Sequence, residues 1–236
     1  MNIHDLNKAA WNRAVGEGAN PYTKVIAPEH VAAARQGTWS LSLSGCKPVP
    51  KDWFPSLLGL KVLCLASGGG QQAPIFAALG AEVTLLDASP KQLAQDQFVA
   101  ERDNLSIRLV EGDMADLSAF EDQSFALIYN QPSTLFVPDV APVWRECYRV
   151  LQPGGVLMTG FMNPDEFIFD DVALDDQGIF VVKHPLPYVE HETLSQAVLE
   201  QRICDQEMFH FSHTMEAQLG GLTKAGFVII GFYEDR

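Results

Sequence analysis

The stretch from Lys61 to Asp87, KVLCLASGGGQQAPIFAALGAEVTLLD, limits what this chain can fold into more than any other. Val62 to Leu65 is a short apolar run with glycines close behind it, which predicts a buried strand rather than a helix. Ala66 and Ser67 lead into Gly68, Gly69 and Gly70. Three residues without Cβ atoms let the backbone turn sharply and lie against a ligand. Pro74 falls where a first helical turn is expected, a place that asks no backbone N–H of it. Ile75 to Leu79 continues as a helix, and Gly80 stops it. Val83 to Leu86 reads as a second strand, ending on Asp87.

A strand, a glycine loop, a helix and a second strand make a parallel pair. Its loops lie at the carboxyl ends of the strands, where open α/β sheets bind ligands. The glycine loop lets an adenosine-bearing ligand approach closely. Asp87 follows Gly68 by about 20 residues, the spacing of an acid that accepts hydrogen bonds from ribose hydroxyls.

Further units of the same kind follow. Ser89 and Pro90 open a helix reaching Arg102, with Leu93, Ala94, Phe98 and Val99 on its inner face. Ile107 to Val110 is a third strand, leading into Glu111, Gly112, Asp113 and Met114. An acid beside a methionine at that edge suits an adenine ring, the carboxylate meeting the amino group and the thioether the ring face. Phe125 to Ile128 is a fourth strand, ending in Tyr129 and Asn130. In a doubly wound sheet it returns beside the first strand, which puts Asn130 at the crevice. A helix over 139–150 and a tight LQPGG turn lead to a fifth strand, Val156 to Phe161. The fold class expected is α/β, a doubly wound, mostly parallel sheet.

The chain's 236 residues allow one large domain, and its 47% apolar and 19% charged content fits a folded soluble protein. No apolar run nears the roughly 20 residues of a membrane span, and MNIHDLNKAAWNR lacks the apolar segment of a secretion signal. A formal net charge of −14, with no basic stripe, disfavours nucleic acid and anionic membrane as partners. A small-molecule substrate, cationic or neutral, is expected. Cys46, Cys64, Cys147 and Cys204 lack C-x-x-C spacing and read as reduced thiols of a cytoplasmic protein, without a disulfide framework or a metal site. The oligomeric state is left open.

Residues 1–60 carry three of the four tryptophans and many of the prolines, so they read as a folded cover rather than a flexible tail. Helices are expected around Leu6 to Arg13 and over 28–35, with a turn at 20–23 between them. The cover either caps the strand ends as a lid or packs on the sheet edge. Residues 163–192 form an irregular acidic insertion after strand five, with Asp165, Glu166, Asp170, Asp171, Asp175 and Asp176. Its spacing does not match a calcium loop, so a solvated acidic face is expected. Ile179 to Val182 reads as a short strand, Leu194 to Phe211 as mostly strand, 214–225 as a helix closed by Gly226, and Phe227 to Phe232 as the last strand.

VLCLASGGG, LLDAS, GDM, the strand to Tyr129-Asn130, VLQPGG and LTKAGF resemble, in order, the class I S-adenosylmethionine-dependent methyltransferases, in particular small bacterial proteins of the methyltransferase-domain type. The resemblance spans about residues 60–162 and, more weakly, the C-terminus. It implies a Rossmann-like methyltransferase domain over 61–236, S-adenosyl-L-methionine as cofactor, and methyl transfer to a small acceptor. It also implies the cofactor-binding set: Ala66, Ser67, Gly68 and Gly70 along the methionine part, Asp87 and Ala88 at the ribose, Asp113 and Met114 at the adenine, and Asn130 near the sulfonium. Two departures stand out. Cys64 replaces an acid common in the first strand, and Ala66 replaces a glycine. The family sheet also commonly ends with two strands after its last helix, and only Phe227 to Phe232 remains here, so Leu194 to Phe211 is expected to supply a strand before that helix.

Gly68-x-Gly70-x-x-Ala73 also satisfies the dinucleotide fingerprint, and Asp87 would serve NAD equally well. An NAD(P)-dependent oxidoreductase is therefore the alternative enzyme, and a non-catalytic S-adenosylmethionine-binding relative a third reading. Asp113-Met114, the VLQPGG turn and the lack of a second domain argue against hydride transfer. His184, His191, His210, His213 and Tyr188 fall in the region expected to cover the substrate, but none is singled out as a general base.

Overall fold

Five apolar runs pair side by side into one parallel sheet. In this computed structural model, which describes residues 1–234, they are β1 (Lys61–Leu65), β2 (Glu82–Asp87), β3 (Ile107–Glu111), β4 (Phe125–Asn130) and β5 (Leu151–Thr159). Asp235 and Arg236, at the end of the expected 61–236 domain, lie outside the described residues, as do the side chains of Asp171, Val172 and Asp175 in the insertion. Strand order is β3-β2-β1-β4-β5. The chain thus builds outward from β1 to β3, crosses back, and continues from β4, leaving a crevice between β1 and β4 at their carboxyl ends. Register is continuous from Lys61↔Glu82 to Leu65↔Leu86 and from Val83↔Ile107 to Asp87↔Glu111. The ends of β1, β2 and β3 therefore come level.

Helices α1 (Ile3–Glu17) and α2 (Pro28–Arg35) precede the sheet. α3 (Gln72–Ala78), α4 (Pro90–Asp103) and α5 (Ala141–Val150) make the crossovers. After β5 come α6 (Asp171–Gln177), α7 (Glu190–Thr193), α8 (Gln196–Cys204) and α9 (Gly221–Ala225), the last preceded by a π-turn over Glu216–Gly220. Ser89 caps α4 by accepting from the Gln92 N–H, with Pro90 at the first helical position.

The strands read as unbroken apolar runs because both sheet faces are covered. Val62, Cys64, Val83, Leu85, Leu127 and Tyr129 meet Phe76 of α3, Ala34 of α2, and Leu41 and Val49 of the cover on one face. Leu63, Leu65, Leu86 and Ile128 meet Val143, Trp144 and Cys147 of α5 and Leu222 of α9 on the other. Each such side chain contributes about 1.5–3 kcal/mol when fully buried. Trp144 is wholly buried and donates its indole N–H to Ala217 O at 3.2 Å.

Five expectations need correction. Leu194 to Phe211 is not strand. Ser195 caps α8 through the Val198 N–H, and Gln196–Glu200 and Gln201–Asp205 side-chain hydrogen bonds at i, i+4 support it. Phe211 keeps only an isolated bridge to Val189. Without that partner, Phe227 to Phe232 joins no ladder, and Val228 and Ile230 stand 81% and 87% exposed. Ile179 to Val182 is likewise reduced to one bridge, Phe169↔Val182. On α4, Ala94 and Phe98 face solvent, and the inner face is Gln92, Leu93, Asp96, Val99 and Ala100. The LQPGG segment belongs to β5, which begins at Leu151 and carries a register shift opposite Phe125 and Leu127.

Candidate active site

Asp87 ends β2 level with the end of β1, and its carboxylate turns back over the glycine loop. Oδ2 accepts from the Gly68 N–H at 2.9 Å and Oδ1 from the Ser89 N–H at 2.8 Å. Burial raises its pKa while these two N–H groups pull it down. A carboxylate has about four acceptor positions, so two remain for a ligand. Gly68 has to be glycine for a local reason: a Cβ there would sit 2.7 Å from Gln92 Cβ and 2.9 Å from Asp87 Oδ2. Ala66 holds φ at 47°, a left-handed conformation that costs a non-glycine residue about 1 kcal/mol or more, and donates its N–H to Leu86 O at 2.8 Å. The loop is thus wound tightly between β1 and β2.

These residues wall a cavity of about 1290 Å³ at the carboxyl ends of the strands. Ala66, Ser67, Gly68, Asp87, Ala88, Asp113 and Met114 all line it. Gly70 and Asn130 do not. Gly70 faces the cover and α4, where an added Cβ would lie 2.9 Å from Val25 Cγ1 and 3.0 Å from Gln95 O. Asn130 is wholly buried. Its amide donates to Leu65 O at 2.9 Å and to Ser133 Oγ at 2.8 Å, and its Oδ1 accepts from Thr159 Oγ1 at 2.9 Å. Asn130 therefore braces β1, β5 and the loop after β4 from beneath, and Gln131, Pro132 and Ser133 form the floor. The strand order puts Asn130 at the carboxyl end of β4, next to the end of β1. The direction of its side chain was not in the sequence.

The cover spans the strand ends. Asn7 of α1 donates to Phe136 O at 2.9 Å and Phe209 O at 3.1 Å and accepts from the Phe209 N–H at 2.7 Å. Trp11 packs edge-on to Phe136 with ring centroids 5.4 Å apart. Three glutamines hold residues 20–26: Gln71 donates to Pro21 O and Lys24 O, Gln92 to Tyr22 O and Gln95 to Thr23 O. Met1 to His4, Asn7, Lys8, Trp11, Asn20 and Tyr22 consequently line the cavity.

At the adenine edge expected from the sequence, Asp113 Oδ1 accepts from the Ala115 N–H at 2.8 Å, and Oδ2 lies 3.2 Å from His4 Nδ1. Lys8 of α1 pairs with Glu111 alongside. The hydrogen bond to Asp113 raises the pKa of His4 from 6.5, and the same bond lowers that of Asp113 from 3.8. The raised histidine contributes stability that is full below pH 6.5 and fades as pH rises through its folded value. The lowered carboxyl contributes stability that is full above pH 3.8 and fades as pH falls through its folded value. The pair is therefore strongest between about pH 4 and 6.5. Both partners are about a third exposed, so we expect well under 1 kcal/mol. Hydrogen exchange in α1, corrected for intrinsic rates, should be slower at pH 5.5 than at pH 8 in the wild type. His4→Gln should erase that difference; a difference of equal size in the variant would show the pair plays no part.

The histidines expected over the substrate separate. His184 packs on Tyr188 and His191 on Phe211. His213 is buried with Nε2 2.9 Å from Thr134 O, and burial lowers its pKa. His210 alone of the four lines the cavity. Its Nδ1 lies 3.5 Å from Oε2 of the buried Glu190, which is also paired with Arg202. Of the acidic insertion, Asp165 and Glu166 are exposed, Glu166 at the cavity rim. Among the described residues there is no cluster of three or more groups able to hold a metal ion.

Sequence reasoning missed Asp96 and His4. Asp96 Oδ2 accepts from both the Gly69 and Gly70 N–H groups, each at 2.9 Å, so it clamps the loop from below. Its only signal in the sequence was an acid on the inner face of a helix. His4 lies close to the N-terminus, and no spacing rule connects it to Asp113.

The site fits an adenosyl cofactor: a Cβ-free approach at Gly68, a carboxylate with acceptors to spare, and a second acid beside a methionine, all on one cavity wall. The Methyltransferase domain family matches residues 63–159. The uncharacterized methyltransferase YbaJ of Bacillus subtilis (strain 168) is 47% identical over 98% of this chain and 89% of its own length. A ubiquinone biosynthesis O-methyltransferase of Psychrobacter arcticus is 32% identical over 74% of this chain and 71% of its length. The solved S-adenosylmethionine-dependent methyltransferase of Mesorhizobium loti has the same fold, with a TM-score of 0.58, 21% identity, and 77% and 80% of the two chains covered. These names support methyl transfer over the nicotinamide reading of the same glycine spacing. The chain belongs to the class I S-adenosylmethionine-dependent methyltransferases.

Proposed function

We propose that this methyltransferase acts on a small, largely apolar acceptor held beneath the N-terminal cover. The observation that carries this is the continuity of the cavity. At about 1290 Å³ it exceeds the roughly 300–1,000 Å³ of a site for one ligand, so it has room for two. The Gly68, Asp87 and Asp113 wall forms part of its lining, and Phe136, Phe161, Met162, Met208, Met215 and Phe232 line it as well. Methionine and phenylalanine offer adaptable, polarisable contact and few hydrogen bonds, which suits an apolar acceptor. The ubiquinone-related name of one relative is in keeping with such an acceptor.

The cofactor supplies an electrophilic methyl group on a sulfonium. The chain's own residues bind, align and exclude water. In this reading Asp87 holds the ribose, Asp113 and Met114 the adenine, and Ala66, Ser67 and Gly68 the methionine part, with Ala88 beside them. Gly70 and Asn130 act from behind the wall. Residues 1–60 are the cover and 61–236 the transferase domain. Where the acceptor must lose a proton, His210, backed by Glu190, is the group placed to take it. No helix among the described residues is long and apolar enough to cross a membrane. Free cysteines and strong negative charge favour a cytoplasmic protein with no nucleic-acid or membrane partner, and the Bacillus relative is in keeping with a bacterial one.

Calorimetry with S-adenosylhomocysteine, followed by transfer of labelled methyl to a panel of apolar and polar acceptors, tests this. Binding, with labelling confined to apolar acceptors, is expected. Labelling only of highly charged acceptors would overturn the acceptor class, and no S-adenosylhomocysteine binding would remove the assignment of the wall.

A further inference from the structure

A carboxylate in the middle of a helix, wholly buried and without a cation, needs a reason. Asp96 lies in the interior of α4, where aspartate is a poor helix former, and has no exposed surface. Burying an ionised carboxyl costs several kcal/mol unless it is compensated. Here the compensation is partial. Oδ2 takes the Gly69 and Gly70 N–H groups, while Oδ1 is buried with no hydrogen-bond partner. Asp96 takes part in none of the ion pairs among the described residues.

The titratable groups that act on it from the packed strands add no positive charge. Asp87, at the end of β2, acts on it as a like charge, and Cys64 of β1 has its thiol raised by burial and by the Asp96 charge. Tyr22 and Thr23 of the cover bear on this face of α4 through backbone carbonyls, bonded to Gln92 and Gln95. Two acids thus flank one glycine loop, Asp87 bonded to Gly68, and Asp96 to Gly69 and Gly70, with the ligand cavity on the far side. Uncompensated negative charge in a poorly hydrated site attracts a cation strongly.

We propose that Asp96 is a positioning and specificity-determining residue, which clamps the glycine loop and makes this site prefer the cationic cofactor to its uncharged-sulfur product. S-adenosylmethionine and S-adenosylhomocysteine share every recognition group except the sulfonium methyl and its positive charge. The clamp serves both, and the charge serves only the first. This rests on the cofactor reading of the cavity but goes beyond it, since S-adenosylhomocysteine binding by itself neither requires nor reveals the preference.

Burial raises the Asp96 pKa to about 7. A cation in the cavity, across the glycine loop from it, lowers that value. Affinity for the cationic ligand therefore rises as pH passes from 6 to 8, while affinity for the neutral-sulfur ligand changes less. A pKa lowered by about one unit corresponds to a tenfold gain in affinity once the group is ionised. We expect the ratio of dissociation constants, S-adenosylhomocysteine over S-adenosylmethionine, to rise about five- to tenfold between pH 6 and pH 8 in wild-type protein, measured by calorimetry. This needs no variant, and a flat ratio overturns the proposal. Asp96→Asn retains an oxygen to accept the two glycine N–H groups but carries no charge. It should bind S-adenosylhomocysteine within about threefold of wild type, bind S-adenosylmethionine about tenfold more weakly, and show no pH trend in the ratio. An unchanged ratio in that variant, or equal losses for both ligands, would reduce Asp96 to a structural clamp and sink the selectivity. Absence of S-adenosylhomocysteine binding by the wild type would instead defeat the cofactor reading beneath it.

Discussion

Asp87→Ala is expected to weaken S-adenosylhomocysteine binding by at least two orders of magnitude, roughly 3 kcal/mol or more. Two losses combine. The first is direct. Asp87 lines the cavity with two acceptor positions unused after its bonds to the Gly68 and Ser89 N–H groups. A ribose offers two adjacent hydroxyls, and a hydrogen bond to a charged group contributes about 1.5–3 kcal/mol. The second is indirect. Without the carboxylate, the Gly68 N–H loses its acceptor, and the loop loses the contact that fixes it against β2. Asp87→Asn separates the two. It keeps an oxygen for Gly68 but loses the charge, so it should lie between wild type and Asp87→Ala, about tenfold down. Thermal melting of both variants shows whether the fold persists. Wild-type affinity in Asp87→Ala, with the fold intact, would remove the carboxylate from the ligand wall.

What could be read from the sequence was what is local. β1, the glycine loop, α3 and β2 follow one another within a single unit, and each boundary carries its own chemistry: glycine for the turn, proline for the first helical turn, an acid at the strand end. The doubly wound order followed because crossover rules leave little choice. Three things were not legible, each for a physical reason. Asn130 was placed by topology at a strand end, but a strand end fixes a Cα and not the use of a side chain. Here Leu65 O, Ser133 and Thr159 together consume the amide. Leu194 to Phe211 was read as strand on partial alternation. Val198 and Ile203 are in fact exposed on α8, whose support comes from glutamine pairs and a serine cap that a hydropathy pattern does not register. Asp96 stands 26 and 27 residues from the glycines it holds, so its role is visible only when α4 lies under the loop. The departure at Cys64 signalled a missing acid in β1, and the buried acid near the loop comes from α4.

Gly69→Ala should destabilise the protein by about 3 kcal/mol and loosen the cover at the same time. Gly69 has φ of 120°, a backbone conformation that side chains rarely adopt, and an added Cβ would lie 2.4 Å from Tyr22 O. That atom is backbone and cannot rotate away. It is also held, since it accepts from Gln92 Nε2 at 3.3 Å, while Gln71 grips the Pro21 and Lys24 carbonyls on either side. Relief therefore requires either the loop to leave Asp96 or residues 20–26 to leave the loop. The second route breaks the bonds from Gln71, Gln92 and Gln95 and the Ile26 N–H bond to Gly70 O, and spares the two bonds to a buried carboxylate, so the cover is what should give. Gly18→Ala provides the comparison: φ is 65° and nothing lies within 4 Å, so only the backbone strain of about 1 kcal/mol applies. Urea denaturation should separate the two variants by about 2 kcal/mol. Hydrogen exchange should quicken in residues 20–26 for Gly69→Ala alone. Because α1 and Tyr22 line the ligand cavity, S-adenosylhomocysteine affinity should fall in the same variant and hold in Gly18→Ala. Equal stability of the two variants would mean that the cover does not bear on the glycine loop, and the lid would lose its physical basis.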